Sequence, residues 1–169
     1  MDATSRAALW GQFGAAIDML ENAIRSCPEE LWGDRTRQPE FWYLAYHTLF
    51  FLDFYLADAA EEFAPPAPFT LSELDFAGVL PDRMYQKGEL LAFLEYGRNK
   101  ARARIETLTP ESAARRRNYG WFEPTRLEAL LYNMRHLQHH AAQLNLILRQ
   151  VTDAAPDWVA KSRSDLTNE

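Results

Sequence analysis

The sequence predicts an all-α protein, a four-helix bundle with a long crossover connection, and three observations carry that reading. Four long stretches repeat apolar residues at three- and four-residue intervals, clusters of proline and glycine separate them, and no strand-like alternation lasts anywhere. At 169 residues the chain is the size of one domain, so residues 1–169 are read as a single unit with residues 151–169 as a C-terminal tail.

The first helix spans residues 5–26, where Leu9, Trp10, Phe13, Ile17, Leu20 and Ile24 share one face, and Pro28 stops it. Residues 28–38 read as a connector. Pro39 suits the start of the second helix, which runs over residues 41–60 and is apolar almost all round, as befits the most buried element. Residues 63–81 contain Pro65, Pro66, Pro68, Gly78 and Pro81 and make a crossing loop, with one short turn around residues 71–75. The third helix covers residues 87–108, with Leu90, Leu91, Leu94 and Ile105 inward and Arg98, Lys100, Arg102 and Arg104 on a solvated outer face. Thr125 and Glu128 have capping-box spacing and start a fourth helix that continues to about residue 150. In the polar tail beyond, Trp158 and Val159 are the residues able to pack back.

Composition bounds the function. Hydrophobic residues make up 47% and aromatics 13%, too apolar for a disordered chain, while charge interrupts the apolar runs too often for a membrane protein. A net charge of −6 opposes general nucleic-acid binding, and the one basic run, Arg115 to Arg117, reads as a solvated loop or a local ion-pair cluster. The first twenty residues do not resemble a signal peptide, so a cytoplasmic location is expected. The single cysteine, Cys27, allows neither an internal disulfide nor a thiolate zinc site, which leaves His, Asp and Glu to hold any metal.

Three of the four histidines fall in His136-Leu-Gln-His139-His140. At about 100° per residue, His140 lies roughly 85° from the centre of the apolar face, His136 roughly 125° and His139 roughly 175°. His136 and His140 are one turn apart and can converge on one ion, whereas His139 points away. His47, inside the aromatic second helix, supplies a third imidazole if the bundle brings the two helices face to face. Three neutral imidazoles leave other positions for water or substrate, the arrangement of catalytic metal sites. Asp53 is six residues beyond His47, points elsewhere and is not assigned to the metal. Asn133 and Gln143 are candidates to orient a ligand or a bound water, with interhelical hydrogen bonds the alternative, and Tyr46, Tyr132 and Trp121 are candidates for a pocket wall, with core packing the alternative.

The segments Trp42-Tyr43-Leu44-Ala45-Tyr46-His47, His136-Leu-Gln-His139-His140-Ala-Ala-Gln143-Leu144 and Leu148-Arg149-Gln150 resemble the DinB and YfiT superfamily, in element order over most of the chain. The resemblance implies a bundle with a down-up-up-down arrangement. It also implies one divalent transition-metal ion, such as zinc, nickel or iron, on His47, His136 and His140. Characterised relatives include enzymes that use bacillithiol, mycothiol or glutathione to transfer or isomerise small molecules. A common form of the motif has Arg-Gly-Gln after the last histidines; Ala141-Ala142-Gln143 stands here, so a contact made by that arginine is missing.

The function expected is a metal-dependent thiol S-transferase or isomerase acting on a small electrophilic molecule, with a low-molecular-weight thiol as co-substrate. The metal would favour the thiolate, and no separate nucleophile is required. The alternatives are a non-catalytic metal-binding or stress-associated protein and a bundle devoted to a protein interface. Aromatic residues on the first two helices, and the family resemblance, add the expectation of a homodimer.

Overall fold

The computed structural model describes residues 1–61, 63–75 and 80–166. Gly78, one of the breakers of the crossing loop, and the last tail residues, 167–169, lie outside the described residues. The described residues form six α-helices and one 3-10 turn: α1 (Ala3–Ser26), α2 (Glu29–Trp32), α3 (Phe41–Phe54), the 3-10 turn Ser72–Leu74, α4 (Lys87–Glu106), α5 (Pro110–Ala114) and α6 (Arg126–Thr152). Among them no helix is long and apolar enough to cross a membrane.

Local chemistry explains most of the boundaries. Asp2 caps α1 by accepting from the Ser5 N–H at 2.7 Å. Thr125 and Glu128 form the capping box at the start of α6. A second box, Gln86 with Glu89, starts α4. The connector expected over residues 28–38 holds the short α2, and α5 is a further short helix, opened by Pro110 behind the Thr109 cap.

The end of α3 corrects the sequence reading. The apolar run suggested a helix to residue 60, but α3 stops at Phe54 because other elements take its terminal carbonyls. Asn133 on α6 donates to the Leu52 carbonyl at 3.0 Å, Lys100 on α4 to the Asp53 carbonyl at 3.2 Å, and the Tyr119 hydroxyl to the Tyr55 carbonyl at 2.9 Å. These donors satisfy backbone oxygens that a longer helix would otherwise have paired internally.

α1 and α3 each pack against both α4 and α6. Lys87 at the start of α4 reaches the Cys27 carbonyl just past the end of α1, and Arg98 reaches Asp18 and Glu21, so α1 and α4 are antiparallel. Tyr85, just before α4, packs on Trp42 near the start of α3, while Lys100 meets Asp53 near its end, so α3 and α4 run parallel. α3 and α6 are antiparallel, with Tyr55 against Tyr132 and His47 against His140. Parallel neighbours oblige the chain to return along the length of α3, and the described residues between the two helices, 55–61, 63–75 and 80–86, belong to that return. Phe69 anchors it by stacking on Phe93 of α4 at 4.2 Å, and the Tyr46 hydroxyl donates to the Thr70 carbonyl at 3.1 Å.

The outer face expected of the third helix is less solvated than its composition suggested. The Arg98 guanidinium is largely buried between Asp18 and Glu21, and Lys100 lies over Phe63 and Tyr96 while pairing with the fully buried Asp53. The tail packs back through Val159, while Trp158 stays exposed. Ser162 donates its N–H to the Gly11 carbonyl at 2.8 Å, and a Cβ added at Gly14 would collide with the Ser162 side chain, so that glycine permits the close approach. The aromatics of the first helix that suggested an interface, Trp10 and Phe13, are core residues, as is Trp42 on α3.

Burial pushes the Asp53 carboxyl above its ordinary value even though Lys100 pulls it down. Lys100→Met removes the only cation paired with it among the described residues. We expect that variant to be destabilised by about 3 kcal/mol at neutral pH in urea titrations. An acid with a raised folded pKa contributes stability below its unfolded value of about 3.9 and loses it as pH rises through the folded pKa. The deficit of Lys100→Met should therefore shrink as pH falls toward about 4, and a deficit independent of pH would refute this account of the pair.

Candidate metal centre

The antiparallel register of α3 and α6 brings the three histidines together. Asn133 meets Leu52. Five residues back from Leu52 is His47, and five residues on from Asn133 is the midpoint between His136 and His140. At about 1.5 Å per residue both steps rise roughly 7.5 Å, so the contact at one end delivers the imidazoles to one level.

Each of His47, His136 and His140 offers a ring nitrogen within 4.8 Å of the other two, and no other described His, Cys, Asp or Glu joins that cluster. Ring centroids lie 5.4 Å apart for His47 and His136, 5.0 Å for His47 and His140, and 4.4 Å for His136 and His140. The Nε2 atoms of His136 and His140 face each other at 3.1 Å. Two nitrogens each about 2.0–2.1 Å from one ion stand roughly 3.0–3.4 Å apart, so this separation fits a shared ion.

The remaining ring nitrogens set the tautomers. His47 Nδ1 is 2.6 Å from Glu73 Oε2; the carboxylate accepts, Nδ1 carries the proton, and Nε2 keeps its lone pair. His140 Nδ1 is 2.6 Å from Gln143 Oε1, which holds that ring in the same sense. His136 Nδ1 is buried without a partner. Burial lowers the His136 pKa to about 3 and that of His140 to about 4, with the neighbouring imidazoles adding to the effect in both. At neutral pH both rings are therefore uncharged, the form that binds metals.

Glu73 was not visible as a site residue in the sequence. It sits on the 3-10 turn of the crossover, 26 residues from His47, in a segment whose prolines give no periodicity by which to orient it. The short turn expected over residues 71–75 is present, but nothing local indicates which way its carboxylate faces. The Glu73 side chain is 3% exposed, and its Oε1 has no hydrogen-bond partner.

Other candidates divide. His139 is exposed and outside the cluster, as its helical angle required. Gln143 does orient a histidine. Asn133 does not: it is fully buried and holds the end of α3. Trp121 walls a groove of about 720 Å³ together with Phe51 and Glu73, and Tyr132 lines a second cavity with His136. Tyr46 is a core residue. Asp53 pairs with Lys100 rather than with a metal. Arg117 joins Arg104 and Arg126 around Asp58, the local ion-pair cluster that was one reading of the basic run.

The groove adjoins the triad through Phe51, whose ring lies 4.9 Å from that of His47 and 5.5 Å from that of His136. No fourth protein ligand from the described residues closes the cluster. An ion held by these imidazoles would keep positions for a small molecule.

Neither curated proteins nor solved structures gave a match to the chain. The family model of the DinB superfamily matches residues 12–144, and the protein belongs to that superfamily.

Proposed function

We propose that this protein is a metal-dependent enzyme that transfers a low-molecular-weight thiol to a small electrophilic molecule, or uses that thiol to isomerise it. The observation that carries the proposal is a cluster of three imidazoles, two of them oriented through their second nitrogens, with a groove beside it and no fourth protein ligand among the described residues. In architecture we infer the down-up-up-down four-helix bundle of the family. The antiparallel α1–α4 and α3–α6 pairs and the parallel α3–α4 pair support it.

His47, His136 and His140 would hold one divalent ion, and imidazole ligands suit zinc, nickel and iron. A bound ion supplies Lewis-acid chemistry, lowering the pKa of a thiol so that its thiolate predominates at neutral pH. The chain's own residues do the rest. Glu73 and Gln143 keep the lone pairs of His47 and His140 turned inward. Phe51 packs against the rings of His47 and His136 and joins them to the groove. The sulfur of the thiol is the attacking atom, so the protein needs no nucleophile of its own. Cys27 could not be one, because it is buried and its thiol is pushed up to about 12.

A non-catalytic metal-binding role is the second reading, and the open side of the cluster argues against it. Assay of the metal-loaded protein with a panel of thiols and small electrophiles separates the two, since only the enzyme turns over. Elemental analysis tests the ligands. The wild type should carry a single equivalent of metal, His47→Ala, His136→Ala and His140→Ala should lose it, and His139→Ala should keep it. Metal retained in His140→Ala but lost in His139→Ala would overturn the ligand set. Glu73→Gln should weaken metal affinity about 10- to 100-fold in chelator competition while the far-ultraviolet dichroism stays unchanged.

A further inference from the structure

The groove beside the triad has a one-sided chemistry. Its walls are aromatic, with Phe51 and Phe54 from α3 and Tyr119 and Trp121 from the loop that precedes α6. Trp121 stacks on Phe54 at 5.8 Å with an interplanar angle of 18°, yet remains 53% exposed. The outer face of its indole is thus open to a ligand.

The charged groups that line the groove are Glu61, Glu73 and Asp75, and no Lys, Arg or His lines it among the described residues. The nearby arginines, Arg104, Arg117 and Arg126, are committed to Asp58. Glu73 adds an observation of a different kind. One of its oxygens holds His47, and the Tyr43 hydroxyl lies against the same carboxylate, so its charge is fixed at the edge of the groove. Aromatic faces attract cations through their quadrupoles, and carboxylates repel anions from the same space.

We propose that this groove binds a small organic cation, an alkyl or aryl ammonium, against Trp121 and Glu61, and so selects substrates or thiols that carry an amine. This deepens the reading of the site as a metal-dependent enzyme and rests on it for the reaction, though recognition of the cation itself needs no metal. A volume of about 720 Å³ accommodates a molecule with an apolar body as well as the charged group.

Calorimetric titration of the full chain, metal-free and zinc-loaded, with phenethylammonium, phenethyl alcohol and phenylacetate tests the proposal, because the three share a body and differ in charge. Phenethylammonium should bind about tenfold or more tightly than the alcohol, and phenylacetate should bind more weakly than either. Trp121→Ala, a change at an exposed position, and Glu61→Gln should each weaken ammonium binding about fivefold without altering metal content. Equal binding of alcohol and ammonium, preference for phenylacetate, absence of ammonium binding, or ammonium binding unchanged in Trp121→Ala would each overturn it. Ammonium binding by a protein that takes up no metal would leave this inference standing and remove the metal-dependent reading. Metal uptake without ammonium binding would do the reverse.

Discussion

The C-terminal residues of α3 are buried, and the positions of its neighbours follow from how its last carbonyls are paired. Asn133, Lys100 and Tyr119 come from α6, from α4 and from the loop before α6, and each donates to a different carbonyl of this one terminus. Unpaired buried carbonyls would be costly, so the three donors act as pins that set how far each element can slide along α3. The pin on α6 also sets the level at which His136 and His140 face His47. The register of the site is thus held by a hydrogen bond that takes no part in it.

The site combines burial with orientation. Burial keeps His136 and His140 uncharged, which is needed for ligation but would leave the rings free to turn. Glu73 and Gln143 remove that freedom from His47 and His140. Glu73 can do so because the crossover is itself fastened, by Phe69 on Phe93 and by Thr70 under Tyr46. A carboxylate on a loose loop would meet His47 only part of the time, whereas one behind stacked aromatics meets it with little entropy left to lose.

Much of this was legible in the sequence. The spacing of His136, His139 and His140 on a regular helix separates the inward pair from the outward residue, because angular position depends only on the backbone period. The Thr125 and Glu128 cap and the breakers on either side of the short turn were legible for the same reason: each is local. What escaped depends on partners distant in the chain. The early end of α3 comes from donors 47 to 81 residues away, against an apolar run that would continue the helix. Asn133 read either as a residue serving the site or as one making an interhelical hydrogen bond, and the second reading holds: its partner is the Leu52 carbonyl, which no local signal picks out. Arg98 and Lys100 read as solvated because charge at helical spacing does so by default, whereas Asp18, Glu21 and Asp53 draw them inward. Glu73 lies in a segment with no period to extrapolate.

The three histidines and most of the groove's polar lining belong to different kinds of structure. His47, His136 and His140 stand on long packed helices, whereas Glu73, Trp121 and most of the groove's polar lining come from the crossover and the loop before α6. Connecting segments tolerate insertion and exchange far better than packed helices do. Glu73 couples the two from the crossover by reaching an imidazole, and Phe51 does so from α3. A lineage built on this plan can change what its members admit by rewriting two loops, so long as one carboxylate still arrives behind His47. Under the function proposed above, selectivity and metal retention would then change independently.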